Sequence, residues 1–367
     1  MRTIGITGSN GLIAWHLRCY LATVKDVEVV CADRATFADH VALLDFVSRC
    51  DVIVHLAGAN RGDEAEVVAI NVGLADALVS ACQERGVTPY VIYSNSTHIY
   101  RGTPYGHSKR AAAERLRGWA DLSGAQFTNL ILPNVFGEHG RPFYNSVIAT
   151  FCHQLVNNQT PEIKVDATFE YVHCHEISLR VAELLDAPVD GDVEMSGRPI
   201  SVTTLLEKLK VFQRRYRDEG VIPRLDDTFE LALFNTYRSY LYPAHYPVGL
   251  KLHTDPRGSL FEAVKTDREG QAFVSTTCPG ITRGNHFHFH KIERFLVLSG
   301  RASIRLRRVL TDEILTFDVS GDTPCYIDMP TLHTHSITNT GDSDLITMFW
   351  SGDIFDPTKP DTFAELV

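Results

Sequence analysis

The 367 residues of this chain exceed what one ordinary hydrophobic core serves, so two domains are expected. An apolar content of 44%, a charged content of 22% and a net charge of −10 are typical of a soluble protein and argue against a broad nucleic-acid-binding surface. The eight cysteines form no CxxC pair, and no signal peptide or membrane span is recognisable. We therefore expect a cytoplasmic protein with a small-molecule ligand and with no nucleic-acid or membrane partner.

Strands and helices alternate in the first 135 residues. Short apolar runs separated by segments of helix length predict a parallel sheet with helices on both faces, which is a doubly wound α/β domain. The predicted strands are Arg2–Thr7, Val27–Ala32, Asp51–Leu56, Thr88–Tyr93 and Phe127–Leu132. The predicted helices are Leu12–Ala22, His40–Arg49, Glu66–Glu84 and Pro104–Ala120.

The second half of the chain changes character. Residues 145 to 240 are predicted to be mostly helical, and Pro243, His245 and Pro247 then suggest a linker. After Leu250 the apolar runs are short and turn residues are frequent, which predicts an all-β domain. We place the boundary between an α/β domain of residues 1–242 and a β domain of residues 243–367.

A glycine-rich loop joins the first strand to the first helix. Gly8 permits a tight turn, and Gly11 lets the backbone approach a pyrophosphate at the N-terminus of the helix. Asp33 ends the second strand, where an acid binds ribose hydroxyls, while Arg34 after it suits a 2′-phosphate, so these residues leave NAD and NADP both open. The predicted cofactor-binding residues here are Gly8, Asn10, Gly11, Leu12, Ile13, Asp33 and Arg34.

A tyrosine and a lysine stand four apart in the fourth predicted helix. Tyr105 and Lys109 therefore lie on one face, and an ammonium near a phenol lowers the pKa of the phenol from about 10 toward neutrality. Tyr105 can then pass a proton to a carbonyl oxygen during hydride transfer, with Ser96 holding the same oxygen. These three residues are the predicted catalytic set.

The N-terminal motifs together resemble the extended short-chain dehydrogenase/reductase family. The resemblance rests on the phosphate loop, the Tyr105/Lys109 pair, the segment after the third strand, and Asn71. It implies a Rossmann-type domain that binds a nicotinamide cofactor. The further cofactor contacts that it implies are Leu56, Ala57, Gly58, Asn71, Tyr105 and Lys109.

Three histidines and one glutamate in the β domain have the spacing of a metal site. His286 and His288 are two apart on a strand and face the same side, and Glu293 can meet them from the neighbouring strand. His335 is the fourth donor. Three imidazoles and a carboxylate suit Zn²⁺ or a similar divalent metal.

This donor set is framed by residues that resemble the cupin motifs. Gly280 and Gly300 enclose the first three donors, and Pro330 and Asn339 flank the fourth, although Leu332 stands where cupins usually have glycine. The resemblance implies that the β domain is a cupin, or jelly-roll, barrel.

Four further segments narrow the resemblance to bifunctional capsule and O-antigen enzymes of the CapF/WbjC/FnlB type. These segments are Pro133–Gly137, Arg141–His153, Thr282–His286 and Phe349–Pro357. In that family the cupin epimerises carbon 3 of a UDP-2-acetamido-2,6-dideoxy-4-keto-hexose. The reductase domain then reduces carbon 4 with NADPH, giving UDP-2-acetamido-2,6-dideoxy-L-talose for surface polysaccharide synthesis.

The resemblance also implies ligands and site residues. It implies a zinc ion in the cupin, a homodimer, a nucleotide-sugar substrate, and NADPH as cofactor, with NADH as the alternative. Cofactor contacts are implied for Pro133 and Val135. Substrate contacts are implied for Asn134, Arg141, Tyr144, Asn145 and His153.

Some residues depart from the family pattern. Cys278 replaces a lysine, and Leu130-Ile131 replaces an arginine step, both near the expected sugar, so a related but different nucleotide sugar is an alternative substrate. His173, Cys174 and His175 suggest either a second metal site or a variable entry into a helix.

Two other function classes remain as alternatives. One is a nucleotide-sugar 4-epimerase or simple reductase on a different sugar, in which the cupin serves only dimerisation. The other is a redox sensor that binds NADPH without catalysis, and the presence of both Tyr105 and Lys109 argues against it.

Overall fold

The computed structural model describes all 367 residues. The chain divides into two compact units, one of residues 1–150 and 163–202, and one of residues 151–162 and 203–367. The first unit is α/β and the second carries antiparallel sheets, as the sequence predicts. The domain boundary at residues 242/243 stays a prediction.

The first unit is built on a six-stranded parallel sheet. Its strand order is β2-β1-β3-β4-β5-β8, and β6, β7 and β9 form a separate small sheet. The strands are β1 Arg2–Thr7, β2 Val27–Ala32, β3 Val52–His55, β4 Tyr90–Ser96, β5 Phe127–Leu132, β6 Asn134–Phe136, β7 Thr168–His173, β8 Gly191–Glu194 and β9 Arg198–Ser201. The helices are α1 Leu12–Leu21, α2 Arg34–Ala38, α3 His40–Arg49, α4 Glu64–Arg85, α5 Pro104–Ser123, α6 Val147–Val156 and α7 Cys174–Asp186, and α6 runs into the second unit.

The strands of this sheet are rich in apolar residues, which form a core on each of its faces. Its central strands β3, β4 and β5 are buried on both faces, so their apolar residues follow one another instead of alternating with exposed polar ones. One core includes Ile53, Val91 and Trp119, and the core on the opposite face includes Ile6 and Ile92. The order places the ends of β1, β3 and β4 side by side, where cofactors bind in doubly wound folds.

One helix of this unit is long and apolar enough, by length and composition alone, to cross a membrane. This helix is α4, which packs along α5 and α3 and buries Val67, Ala75 and Leu78. Core helices of globular proteins pass the same test, so this finding alone is weak evidence for a membrane span.

The second unit begins with helices and continues as paired strands. Its helices are α8 Val202–Phe212, which starts at the unit boundary, and α9 Thr228–Leu241, with a π-helical segment at Gln213–Asp218. Its strands are β10 Val221–Ile222, β11 Val248–Gly249, β12 His253–Asp255, β13 Gly258–Leu260, β14 Lys265–Thr266, β15 Gln271–Thr277, β16 Thr282–Phe287, β17 Glu293–Ser299, β18 Arg301–Arg308, β19 Ile314–Ser320, β20 Cys325–Met329, β21 His333–Asn339, β22 Leu345–Ser351 and β23 Phe363–Ala364.

Two five-stranded antiparallel sheets make the jelly-roll of this unit. Their orders are β11-β20-β17-β22-β15 and β19-β18-β21-β16-β23. Inward-facing apolar residues such as Phe295, Ile304 and Ile337 belong to one core. The strands β16, β17 and β21 carry or adjoin the predicted metal donors, so pairing within the sheets decides the geometry of that site.

A buried polar network ties the helices of this unit to its sheets. Asp328 forms a bidentate pair with Arg294, at 2.7 and 2.9 Å, and accepts a hydrogen bond from Tyr216 at 2.6 Å. Arg238 of α9 donates to the Tyr216 hydroxyl and, at 2.7 Å, to the carbonyl oxygen of Met329. Tyr246, in the segment where prolines suggested a linker, is buried with its hydroxyl 2.6 Å from that of Tyr216.

Candidate functional sites

The loop between β1 and α1 is shaped to admit a phosphate group. Gly8 has φ +64°, and a Cβ there would lie 2.8 Å from the Cα of Ala57. No side chain caps the N-terminus of α1 at Gly11, so its first N–H groups have no protein side chain as acceptor. The loop therefore fits the pyrophosphate of a dinucleotide at the helix N-terminus.

The loop after β3 is fixed against the phosphate loop. The hydroxyl of Thr7 accepts hydrogen bonds from the backbone N–H groups of Leu56 and Ala57, both at 3.1 Å. Asn71, on α4, exchanges hydrogen bonds with the backbone of Ala59, at 2.7 and 2.9 Å. Both predicted cofactor segments are thus held in place by the protein itself.

Asp33 has a structural role that the sequence analysis did not assign. Its Oδ1 accepts hydrogen bonds from the backbone N–H groups of Ala35 and Thr36, at 2.9 and 3.2 Å, and so caps α2. Arg34 is exposed and makes no hydrogen bond or ion pair with the protein. The cap fixes the acid beside a guanidinium that has no protein partner.

Ser96 and Tyr105 lie close to each other at the start of α5. Ser96 lies close enough to Tyr105 to lower the pKa of its phenol, and α5 begins immediately before Tyr105, where the Thr103 hydroxyl caps it. Gly106 lets the first turn of α5 approach the backbone of His98, because a Cβ at this position would overlap with the carbonyl oxygen of His98. The serine and tyrosine of the predicted catalytic set therefore lie near each other.

Lys109 is buried, and its ammonium contacts the strand β4. It donates to the carbonyl oxygen of Ser94 and lies 4.0 Å from the ring centroid of Tyr93. Burial lowers the pKa of Lys109 to about 7. Burial also raises the pKa of Tyr105, although the hydrogen bond from Ser96 opposes this, so the expected lowering of the phenol pKa is not found.

His55 completes the surroundings of Lys109 and was missed from the sequence. Its Nδ1 lies 2.7 Å from the Thr7 hydroxyl, which already accepts two backbone N–H groups and therefore donates its own proton to this nitrogen. The imidazole stacks on Tyr93 at 5.5 Å. Burial and the charge of Lys109 lower the pKa of His55 to about 3, so it stays neutral. The only signal for it was a histidine at the end of a buried strand.

The implied substrate residues lie partly together. Arg141 lies over the ring of Tyr144 at 5.2 Å, and Arg61, which the sequence analysis missed, lies at 5.8 Å from the same ring. The Nδ2 of Asn134 donates to the carbonyl oxygen of Glu170 at 3.1 Å. An electrostatic influence of Tyr144 on the pKa of Tyr105 places this aromatic group near the predicted proton donor.

The remaining implied contacts occupy different positions. Pro133 is buried, Val135 packs against the core of the first unit, and Asn145 is exposed on the loop before α6. His153 lies on α6 within the second unit and so belongs to a different compact unit from the others.

The segment from His173 to His175 forms the entry to α7, where His173 contacts the buried Glu138. His173 caps α7 and its Nε2 lies 2.9 Å from the carboxylate of Glu138, which is itself buried. The His16 Nε2 lies 3.9 Å from the same carboxylate. Although burial alone would raise it, the neighbouring histidines hold the pKa of Glu138 well below its usual value. The reading of this segment as a helix entry is therefore the one that fits.

The four predicted metal donors converge in the second unit. One ligand atom from each of His286, His288, Glu293 and His335 lies within 4.8 Å of the others. His286 faces His335 across the β16/β21 pair, with a register shift at Asn285, which has φ +61°. Such a bulge re-aims the side chains that follow it, and here it helps to bring His286 to the centre.

The protein presents these donors in the state that a divalent cation requires. The Nδ1 atoms of His288 and His335 contact backbone carbonyl oxygens of Asp361 and His333, so the protons reside there and the Nε2 lone pairs remain. Both Nε2 atoms are buried without a hydrogen bond, although they lie 3.0 and 3.5 Å from Glu293 Oε2. The Nε2 lone pairs of both histidines therefore lie close to a carboxylate without a proton between them. A cation bound between these groups would satisfy all of them.

Electrostatics support the same conclusion. Burial and the neighbouring imidazoles lower the pKa of His286 to about 4. Burial alone would raise the pKa of Glu293, but the imidazoles of His288 and His335 beside it hold it well below its usual value. At neutral pH the site therefore offers neutral imidazole and an ionised carboxylate, which suits zinc or a similar metal.

Leu332 explains why glycine is usual at its position. It has φ +59°, its N–H donates to the carbonyl oxygen of His288 at 2.9 Å, and its side chain is buried. The left-handed conformation favours glycine, so this chain carries a small backbone strain in return for a buried side chain beside a metal donor.

The fold and the two sites define a short-chain dehydrogenase/reductase domain followed by a cupin barrel. The model of the NAD dependent epimerase/dehydratase family matches residues 4–193, and that of the polysaccharide biosynthesis C-terminal domain matches residues 253–363. The chain belongs to the NAD dependent epimerase/dehydratase family and, within it, to the CapF type that carries this C-terminal domain. Members of the family are NAD(P)-dependent enzymes.

Relatives match over the full length. The chain is 34% identical, over 98% of its length and 97% of the relative's, to UDP-2-acetamido-2,6-beta-L-arabino-hexul-4-ose reductase of Pseudomonas aeruginosa. The crystal structure of the capsular polysaccharide assembling protein CapF from Staphylococcus aureus is 33% identical, with a TM-score of 0.63 and coverage of 99% of this chain and 100% of that one. An NADPH complex of RMD from Pseudomonas aeruginosa, 18% identical with a TM-score of 0.57, covers 66% of this chain and 99% of that one and shares the fold alone.

Proposed function

We propose that this chain is a bifunctional nucleotide-sugar enzyme of surface polysaccharide synthesis. The barrel epimerises carbon 3 of a UDP-2-acetamido-2,6-dideoxy-4-keto-hexose, and the N-terminal domain reduces carbon 4 with NADPH to a UDP-2-acetamido-2,6-dideoxy-L-talose-type product. The observation that carries the proposal is the full-length similarity to a UDP-keto-sugar reductase, in a chain that holds both a reductase set and a converged metal-donor set.

The chemistry fixes the order of the two steps. A hydrogen on carbon 3 is acidic only while carbon 4 is a ketone, because the carbanion is then stabilised as an enolate. Epimerisation must therefore precede reduction. A single chain that carries both sites suits a keto sugar that is the product of the first reaction and the substrate of the second.

The reductase step would use Ser96, Tyr105 and Lys109. NADPH supplies a hydride when it is bound. Tyr105 donates the proton to the carbonyl oxygen, Ser96 hydrogen-bonds the same oxygen, and the ammonium of Lys109 stabilises the phenolate that remains. The raised pKa of Tyr105 keeps the phenol protonated before the transfer, as a proton donor requires.

In the barrel, His286, His288, Glu293 and His335 would hold zinc or a similar divalent metal. When bound, such a metal supplies a Lewis acid that polarises a carbonyl group. The chain's own contribution is to keep the imidazoles of His286 and His335 neutral and the carboxylate of Glu293 ionised. We further propose that the enzyme is a cytoplasmic homodimer.

The two activities can be read from one reaction. The protein is incubated with the UDP-4-keto sugar and NADPH in deuterium oxide, while the absorbance of reduced nicotinamide and the deuterium at carbon 3 are measured. The proposal expects cofactor oxidation together with one deuterium at carbon 3, and exchange at carbon 3 even without NADPH. Oxidation without deuterium would instead support a reductase whose barrel serves only dimerisation.

A further inference from the structure

The C-terminal tail of the chain reaches the metal-donor cluster. Strand β23 pairs with β16, with Ala364 opposite His286, and the N–H of Glu365 donates to the carbonyl oxygen of Asn285 at 3.0 Å. The Thr334 hydroxyl donates to the carbonyl oxygen of Glu365 at 2.6 Å. The last residues of the chain therefore contact both strands that carry histidine donors.

Asp361 makes the central contacts of this tail. Its Oδ1 accepts a hydrogen bond from the backbone N–H of Phe289 at 3.1 Å, and its Oδ2 accepts from His290 and Lys291 at 2.9 and 2.8 Å. These three N–H groups form the turn between β16 and β17, which begins directly after His288. One carboxylate thus holds the whole turn that separates His286 and His288 from Glu293.

The backbone of Asp361 acts on His288 directly. The carbonyl oxygen of Asp361 accepts a hydrogen bond from His288 Nδ1. That bond keeps the proton on Nδ1 and leaves the Nε2 lone pair of His288 directed toward Glu293. Asp361 has φ +40°, so its side-chain bonds hold the backbone in a conformation that presents this carbonyl.

We propose that Asp361 is a positioning residue of the metal site: its carboxylate fixes the turn after β16, and its carbonyl oxygen orients the imidazole of His288. This inference rests on the metal binding in the proposed function. It assigns a role to a residue 68 positions C-terminal to Glu293, in a part of the chain that none of the donor motifs includes.

The test compares three variants in the full-length protein. Asp361→Gly tolerates the positive φ but removes both acceptor oxygens, and Asp361→Asn keeps one of them. Asp318→Ala is the matched control, because Asp318 is an exposed acid on β19 of the same sheet. Zinc affinity is measured by competition with a chelator, and thermal unfolding of the metal-free proteins is followed in parallel.

We expect Asp361→Gly to bind zinc roughly 10- to 100-fold more weakly than the wild type, as loss of a partner that orients a metal ligand does elsewhere. Asp361→Asn should lose less, and Asp318→Ala should bind as the wild type does. In the metal-free protein, nitrogen-15 NMR should show His288 protonated on Nδ1 in the wild type, with this preference reduced in Asp361→Gly. A role only in folding would lower the unfolding temperature without changing this tautomer.

The outcomes separate the two proposals. Wild-type affinity in a folded Asp361→Gly protein overturns the positioning role and leaves the metal site standing. If Asp361→Gly does not fold, the decision passes to Asp361→Asn, in which unchanged affinity and tautomer have the same meaning. If the wild-type protein binds neither zinc nor cobalt, the metal site fails, and the role of Asp361 fails with it.

Discussion

The reductase site and the barrel site differ in whether their buried polar groups have hydrogen-bond partners within the chain. In the reductase site, Lys109 donates to Ser94, and Asp33 caps a helix. In the barrel, the Nε2 atoms of His288 and His335 are buried without a hydrogen bond beside an ionised carboxylate. A cofactor that enters and leaves suits a site whose groups have protein partners between turnovers. A resident ion suits a site that is costly to leave empty.

The largest expected effect is on NADPH oxidation, after the phenolic proton of Tyr105 is removed by substitution. Tyr105→Phe keeps the ring but deletes the donor, so NADPH oxidation should fall about 10²- to 10⁴-fold while cofactor binding survives. Exchange of the hydrogen at carbon 3 should stay at the wild-type rate, because it belongs to the barrel. Near-normal cofactor oxidation in this variant would sink the assignment of Tyr105.

The converse variant acts on the barrel. His288→Ala removes one of four donors and should abolish deuterium exchange at carbon 3 and lower the zinc content, while NADPH still binds. His253→Ala is the control, since His253 is an exposed histidine on β12 of the same unit. If metal-free wild-type protein stays folded and exchanges the hydrogen at the normal rate, the metal is structural.

A pH profile probes the burial of Lys109. Because its pKa is lowered to about 7, the ammonium is charged below that pH and loses its proton as the pH rises. We expect kcat/KM for reduction to decline above about pH 7, since this parameter reports groups of the free enzyme. The raised pKa of Tyr105 keeps that group protonated over this range, so the decline belongs to Lys109. Lys109→Arg should lower the rate and remove the decline; a decline that persists in this variant would contradict the assignment.

The smallest expected effect concerns the choice of cofactor. A guanidinium pairs with a 2′-phosphate, so Arg34→Ala should weaken NADPH binding about tenfold and NADH binding little. Arg85→Ala, which removes an arginine from the last turn of α4, is the control. Titration of protein fluorescence by both cofactors measures the difference, and equal losses would show that Arg34 does not read the phosphate.

The sequence predicted the fold where local patterns dominate. The bounds of β1, β2 and β5 agree with the structure because each is a short run rich in apolar residues between segments of helix length. The metal donors could be predicted because spacing of two on a strand is a strong geometric constraint. Even so, His288 lies just beyond the end of β16, and the bulge at Asn285 was not foreseen.

What the sequence could not predict depends on partners that are far apart in the chain. Asp361 contacts a turn 72 residues away. His55 on β3 is hydrogen-bonded to Thr7 on the neighbouring strand β1. The pKa of Tyr105 was expected to fall, yet it rises, because the extent of burial depends on tertiary packing and not on the spacing to Lys109. Such contacts leave no local periodicity to read.

The buried network of the second unit bears on how the barrel could be moved between proteins. Arg294 follows the donor Glu293 directly, and its partner Asp328 also receives the hydroxyl of Tyr216, which Arg238 contacts in turn. A barrel cut at residue 243 would leave the buried Asp328 carboxylate without the hydrogen bond from Tyr216 and the Met329 carbonyl oxygen without the one from Arg238, which is costly in a low-dielectric interior. The transplantable module is therefore larger than the strands that hold the metal donors, and a chimaera should carry residues 203–242 with them.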